Sequence, residues 1–275
     1  MDNILDDLIN REQKLLDELS ASPVVEITGL VNISGVGASK VGKQTLWSMT
    51  FNFDVWRIGN GEMEKHLTIR RKVTDRELKK YQKKIKADSI IKIRGRVLKD
   101  NIFNNAQALI EKHLKSNIDD IEIKNYLMEI RKPVIYEDDL LGTFNYDRRL
   151  KWFKNSILWV NKKIDVSLSI EKMEDLDSVI KTLHILYNDQ TNWNNKVVDY
   201  ATSDLLPLKN DCWLEEDEVE ITEEQFKERM ELESITVFND GSFEFWHSDG
   251  DLFWGHSIVI YGNIIDGPTD ADIPG

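Results

Sequence analysis

The sequence predicts an α+β chain in two parts: an N-terminal helix and a small five-stranded barrel, then an acidic domain in which an antiparallel meander packs against two or three helices. Three observations predict this. The chain has 275 residues, about two domains' worth at roughly 100–200 residues each. Hydrophobic residues make up 41% and charged residues 31%, so each half is globular and long enough to bury its own core. The charge also divides sharply. Residues 23–115 carry 19 Lys+Arg against 9 Asp+Glu, whereas residues 136–275 carry 12 against 30, within an overall net charge of −13.

The first element is a helix. Ile4, Leu5, Leu8, Ile9, Leu15, Leu16 and Leu19 recur at spacings of three, four and seven, the stripe of an amphipathic helix, and Ser20-Ala21-Ser22-Pro23 stops it. Residues 1–22 are this helix, expected to pack on its own protein. Strands follow. VVEITGLVNISGVG is broken by Gly29, Gly35 and Gly37; QTLWSMTFNFDVWRI alternates, with Leu46, Met49, Phe51, Phe53 and Val55 on changing faces; IGNGE supplies a turn into HLTIRRKV. Thr74-Asp75-Arg76-Glu77 is a capping box with Val73 and Leu78 as its hydrophobic staple. The helix it opens has an apolar stripe of Leu78, Tyr81 and Ile85 and is otherwise basic. SIIKIRGRVL and AQALIEKHL add two strands.

Three strands, a helix and two strands is the order of an OB-fold barrel. Residues 23–115 are therefore expected to form an OB-like barrel, with Gly95 in the fourth strand permitting its curvature. Residues 116–138 are expected to be a linker and residues 139–275 the acidic α+β domain. Within that domain LGTFNYDRRLKWFKNSILWVNKKIDVSLSI predicts two or three strands with a tight turn at Asn161-Lys162. Two helices follow, one through Leu176, Val179, Ile180, Leu183 and Tyr187, the other through Trp193, Val197, Ala201 and Leu205 until Pro207 ends it. Thr222-Glu223-Glu224-Gln225 is a second capping box, stapled by Ile221 and Phe226. SITVFNDGSFEFWHSDGDLFWGHSIVIYG then predicts three strands joined by an Asp240-Gly241 turn and a polar turn.

Several function classes lack their residues. No apolar run approaches the roughly 18–20 residues of a bilayer helix. Asp2, Asp6 and Asp7 interrupt the N-terminal apolar positions, unlike a secretory signal. The single cysteine, Cys212, forms no internal disulfide. A cytoplasmic location, with no membrane partner, is the expectation. No nucleophile elbow, phosphate loop or dinucleotide fingerprint is present, and Gly37, Gly42 and Lys43 fit no phosphate-loop spacing. No cofactor and no catalytic residue are assigned.

Three sets of residues remain as candidate sites. HSDGDLFWGH offers His247, Asp249, Asp251 and His256 as metal donors, with His247 and Asp249 two apart on a strand and His256 returning opposite them. The same Ser-Asp-Gly-Asp composition also suits a tight turn, the reading composition favours. On the barrel, Trp56, Arg57, Lys65, Arg70, Arg71, Arg94 and Arg96 are the candidates for single-stranded nucleic acid, stacking bases and tracking phosphates. Phe51, Phe53 and Trp47 share one face by parity and Trp56 the other, which makes Trp56 the exposed aromatic. Finally, Glu215, Glu216, Asp217 and Glu218 are candidates for contact with a basic protein.

The C-terminal half resembles an uncharacterised prokaryotic domain family, domain of unknown function 2262, through LGTFNYDRRLKWF, ITEEQFKERMELESITVFNDGSFEFWHSDGDLFWGHSIVIYG and the closing DADIPG. The resemblance brings no activity. Small acidic domains of this sort look like the immunity proteins of bacterial toxin systems, by analogy. The expected function is thus a non-enzymatic bacterial macromolecule-binding protein, whose acidic domain takes a basic protein partner such as a toxin. Single-stranded nucleic-acid binding through the barrel and a metal-dependent enzyme at the His/Asp turn stand as alternatives.

Overall fold

The structure, a computed structural model, describes residues 2–40, 44–101, 103 and 105–275, with side chains from Arg11 onward. The side chains of Ile4, Leu5, Leu8 and Ile9, and Gly42 and Lys43 of the glycine-rich loop, lie outside the described residues. The chain forms two compact units, residues 1–132 and 133–275.

In the first unit α1 (Asp2–Ala21) precedes β1 (Val24–Val31), β2 (Gly37–Ser39), β3 (Trp47–Ile58), β4 (Glu64–Val73), α2 (Asp75–Lys84), β5 (Ile90–Leu98), β6 (Ala106–Ser116) and α3 (Ile121–Ile130). The strand order β1-β5-β6-β4-β3 closes because β1 also pairs with β3. β4 and β6 run parallel and the other pairs antiparallel. This is the OB-like barrel expected from the sequence, with α2 between the third and fourth barrel strands. Thr74 caps α2, accepting from the Glu77 N–H while the Glu77 carboxylate accepts from the Thr74 N–H at 2.9 Å, and Val73 and Leu78 are both buried. α1 packs across β5 and β6, burying Leu15 and Leu19.

Two glycines let the barrel close. A Cβ on Gly95 would lie 2.6 Å from the Leu109 carbonyl oxygen, where the β5–β6 register shifts between Arg94 and Gly95. A Cβ on Gly29 would lie 2.3 Å from the Phe53 ring, so Gly29 leaves the space that Phe53 fills. The same region overturns the expected exposure of Trp56. Gly29 pairs with Trp56 and Val31 with Phe53, two steps on β1 against three on β3. The extra residue is a bulge, and it breaks the alternation. Val55 turns outward to pack with Leu30, Ile90 and Ile123 beneath α3, while Trp56 turns into the barrel core, fully buried.

The stretch 116–138 is not a linker. It carries α3, whose Ile123 is buried against the barrel, and then β7 (Ile135–Asp138), the edge strand of the second unit. The apolar spacing of Ile121, Ile123, Leu127 and Ile130 is that of a docking helix.

The second unit is one eight-stranded sheet, β14-β13-β12-β11-β10-β9-β8-β7, with β8 (Gly142–Asp147), β9 (Trp152–Trp159), β10 (Lys162–Ser169), β11 (Glu231–Val237), β12 (Ser242–Ser248), β13 (Ser257–Asn263) and β14 (Gly267–Asp272). It consists of two antiparallel meanders joined by a parallel β10–β11 pair. Between those two strands run α4 (Leu176–Asn188), α5 (Gln190–Cys212) and α6 (Glu223–Arg229). Their buried residues Val179, Leu183, Val197, Ala201 and Phe226 form one core with Phe153, Val166, Ile235, Phe245 and Ile260 of the sheet. Thr222 and Gln225 complete the second capping box.

Two local expectations shift. Trp159 pairs with Lys162, so the β9–β10 turn is Val160-Asn161, both at positive φ, one residue before the expected pair. Pro207 does not end its helix: α5 continues to Cys212. The interior proline removes one hydrogen bond from that turn, a cost of about 3 kcal/mol. Tertiary contacts hold the last turn regardless. Asn210 exchanges two hydrogen bonds with the Ile221 backbone, and the buried Lys209 donates to the Trp213 carbonyl at 2.8 Å and to Glu218 at 2.6 Å.

Gly95→Ala places a methyl group against fixed backbone rather than a movable side chain. It is expected to destabilise the barrel by about 1–3 kcal/mol, read as a lower urea midpoint. An unchanged midpoint would show that the strand curvature does not depend on this glycine.

Candidate functional site: the open face of the C-terminal sheet

All three helices of the second unit lie on one side of its sheet. Alternation along the strands therefore decides which side chains enter the core and which remain on the other face. The outward positions form rows of directly paired residues. One row runs Asn145, Lys154, Ser167, Thr236, Glu244, Tyr261 and Asp270, from β8 to β14. The next runs Ser156, Asp165, Ser234, Trp246, Val259 and Asp272. A third begins with Asp147 and Trp152.

The twisted sheet makes these rows concave. An open depression of about 660 Å³ is lined by Trp152, Lys154, Ser156, Asp165, Ser167, Ser234, Thr236, Glu244 and Trp246 among others. Trp152 and Trp246 stand three strands and two rows apart, roughly 19 Å at ordinary strand and residue spacing. Between them the floor carries the small polar side chains Ser167, Ser234 and Thr236.

The polar groups are partly ordered. The Trp246 Nε1–H donates to Glu244 at 2.9 Å, the Ser156 hydroxyl donates to Asp165 at 2.6 Å, and Lys154 lies 3.6 Å from Asp147. The Tyr261 phenol is pushed above its ordinary value by burial and then by the negative field of Glu244, Asp272 and Asp270. Burial leads that rise, and the three carboxylates add to it. Two indoles, a phenol, a hydroxyl floor and carboxylates suit non-covalent capture of a cationic, partly apolar chain. None of these residues was singled out from the sequence. The available signal was the phase of SFEFWHS, where Trp246 stands among outward Ser242, Glu244 and Ser248.

The residues singled out from sequence fare differently. HSDGDLFWGH is the last two residues of β12 and the eight-residue loop that leads into β13. Asp249 is 4% exposed, and its carboxylate accepts from the N–H groups of Asp251, Phe253 and Gly255 at 3.1, 2.7 and 3.1 Å. That bonding folds the loop and drops Leu252 and Phe253 into the core. His247 points to the helix side of the sheet and is 1% exposed, Asp251 stays at the surface, and the His256 ring stacks near Trp213 at 5.6 Å. Among the described residues no group of three or more His, Cys, Asp or Glu is placed to hold a metal ion. The turn thus takes up Asp249 alone, and the other three side chains do not converge on it.

On the barrel, Trp56 is internal and several arginines are engaged by the fold. Arg57 Nε donates to Asp120, which caps α3, at 3.0 Å, and its Nη1 to Glu122 at 2.7 Å. Arg71 donates to the carbonyls of Ile110 and Glu111, and Arg96 to those of Ser20 and Ser22 at the end of α1. Arg70 is half-buried and donates to Gln107, and Arg94 lies 3.6 Å from Glu26. Lys65 is exposed. These side chains are not gathered on one open stacking surface. Of the acidic stretch, Glu218 accepts from the buried Lys209, while Glu215, Glu216 and Asp217 keep to the surface or its edge.

Residues 138–273 match the family model described as "Uncharacterized protein conserved in bacteria (DUF2262)", and residues 12–130 match "Domain of unknown function (DUF7021)". The family resemblance of the C-terminal half is thereby borne out, and the barrel unit is similar to a second family model. No curated protein matches the chain. No helix among the described residues is long and apolar enough to cross a membrane.

His247 supplies a test of the core behind this face. Burial, with a smaller contribution from Lys162, lowers its pKa to about 4 against the opposing pull of the Phe245 carbonyl. Neither ring nitrogen has a hydrogen-bond partner. The unfolded imidazole takes up a proton near its ordinary value of about 6.5 while the folded one stays neutral. Stability is therefore full above pH 6.5 and falls as the pH drops toward 4, by roughly 3 kcal/mol in all. His247→Leu should flatten that part of the urea-midpoint profile. A profile identical to that of the parent protein would place the acid sensitivity elsewhere.

Proposed function

We propose that the chain is a non-catalytic binding protein whose C-terminal unit captures a basic segment of a partner protein on the open face of its sheet. The observation that supports this reading is the depression between Trp152 and Trp246, floored by hydroxyls and lined by Asp165 and Glu244, with Asp270 and Asp272 farther along the same rows on β14. Aromatic side chains are the usual energetic anchors of protein interfaces. Carboxylates around them select Lys- and Arg-bearing partners and speed encounter.

The balance of charge points the same way. Residues 136–275 carry 30 Asp+Glu against 12 Lys+Arg, so the approach of a polyanion is opposed and that of a polycation favoured. Among the described residues Lys154 is the one cation lining the depression, and it already lies near Asp147. An immunity-type role, in which the acidic surface masks a basic toxin, is the biological form of this reading that the sequence suggests.

Fluorescence anisotropy of a labelled ten-residue peptide of alternating Arg and Ser, titrated with the full chain, tests it. Binding should be strong at low salt and weaken as salt rises. Trp246→Ala is expected to reduce affinity at least tenfold, about 1.4 kcal/mol. Glu244→Gln with Asp270→Asn should weaken binding and make it less salt-dependent. If a peptide of alternating Glu and Ser binds equally well, or Trp246→Ala changes nothing, the depression is not the docking surface.

A further inference from the structure

The barrel unit holds a second concavity that its expected nucleic-acid residues do not explain. It lies between α2 and the strands β4 and β6, encloses about 250 Å³, and is lined by Arg71, Glu77, Lys80, Tyr81, Lys84, Glu111, Lys112 and His113. Lys80 and Lys84 stand one helical turn apart and so share a face of α2. Lys112 comes from β6 and Arg71 from β4. Four cations thus converge on one small groove from three separate elements.

Both carboxylates that line the groove have other work. Glu77 accepts from the Thr74 N–H and hydroxyl at 2.9 Å each, which closes the capping box of α2. Glu111 accepts from Arg96 Nε at 2.9 Å. Arg71 is held through Nη1 by two backbone carbonyls, so its guanidinium is fixed in place without a carboxylate on it. Among the described residues, Lys80, Lys84 and Lys112 have no carboxylate in salt-bridge contact. Gathering like charges in this way opposes folding unless water or an anion screens them.

The remaining polar groups set the chemistry. The Ser116 hydroxyl donates to the Lys84 carbonyl at 3.3 Å and lies 2.9 Å from His113 Nε2. Having given its only proton to the carbonyl, the hydroxyl accepts from the His113 Nε2–H, which orients the ring. Burial and then Lys84 lower the His113 pKa, so the ring adds no charge of its own near neutral pH. The half-buried Tyr81 forms a wall.

We infer that this groove is a phosphate-binding site, in which Arg71, Lys80, Lys84 and Lys112 neutralise a phosphate group carried either by a small molecule or by a phosphodiester chain. Phosphate fits better than carboxylate. It offers three or more acceptor oxygens and up to two charges to four cationic donors that approach from different directions. The site lies in the other unit from the sheet face and does not depend on the reading proposed for it.

The test uses the full chain at low ionic strength with two probes, pyrophosphate by calorimetry and a fluorescein-labelled oligothymidylate by anisotropy. The triple variant Lys80→Gln, Lys84→Gln, Lys112→Gln is compared with a control triple of equal charge change in the same unit, Lys99→Gln, Lys124→Gln, Lys132→Gln. All six are side chains at the surface, and an unchanged melting temperature confirms folding. Binding of either probe that falls at least tenfold in the groove triple and less than threefold in the control supports the site. Pyrophosphate binding alone identifies a free phosphate compound as the source. Oligothymidylate binding with a steep salt dependence identifies a strand. Equal losses in both triples would reduce the effect to general charge, and no binding of either probe at low salt would remove the site.

Discussion

The C-terminal unit depends on the parallel join between β10 and β11. Parallel neighbours in a sheet cannot be linked by a tight turn, so residues 170–230 must cross over the sheet between them. The helices of that crossover cover one face and take Phe153, Val166, Ile235, Phe245 and Ile260 as their core. Strand alternation then leaves every second side chain on the opposite face. That face must tolerate water, and most of its positions do so through Ser, Thr, Asp, Glu and Lys. Trp152 and Trp246 break the pattern. Single exposed apolar groups are ordinary on any surface, but two indoles lining one depression with a floor of hydroxyls form a shaped surface that folding alone does not require.

In the barrel unit the side-chain chemistry of the cations decides which of them are available. Arginine presents a planar fork of donors that can bridge two acceptors, and Arg57, Arg71 and Arg96 each bridge two: a cap and a neighbouring glutamate, two strand carbonyls, and the final carbonyls of α1. These arginines fasten α3 and α1 to the barrel and stitch β4 to β6. The lysines of α2 are compact, strongly hydrated charges on flexible stems, and they stay in solvent. A net of ten positive charges over residues 23–115 is therefore two populations, one structural and one free to meet an anion.

Much of this architecture was legible because it is written locally. Thr74 with Glu77 and Thr222 with Gln225 are capping boxes at fixed spacing, and both form. Gly95 sits where a barrel strand must curve, and its missing side chain is what the neighbouring strand occupies. The errors arose where a distant segment decides. Parity placed Trp56 outside until a bulge relative to β1 turned it inward. Pro207 should stop a helix by its own chemistry, yet Lys209 and Asn210 find partners that hold the next turn. The rows of the open face were invisible for the same reason. Lys154, Ser167, Thr236, Glu244, Tyr261 and Asp270 become neighbours only once six strands have paired in register, and no periodicity within one strand announces which residue will lie opposite.

The polar loop at the end of β12 shows how a cluster in sequence can dissolve into separate local roles. Asp249 and His247 are two residues apart, yet one receives three backbone N–H groups and the other receives none. Three hydrogen bonds from amides replace the water that the buried carboxylate gives up. An imidazole with no partner stays neutral instead. The same distinction governs the wider charge pattern. Charges in solvent are screened over about 8 Å at physiological salt, so the net charge of a whole unit biases encounter without choosing a binding site. Choice requires charges that the fold has already placed side by side, beside apolar surface that water leaves at a gain. On the C-terminal sheet that condition is met where Glu244, Tyr261 and Asp270 continue the row that passes between the two tryptophans.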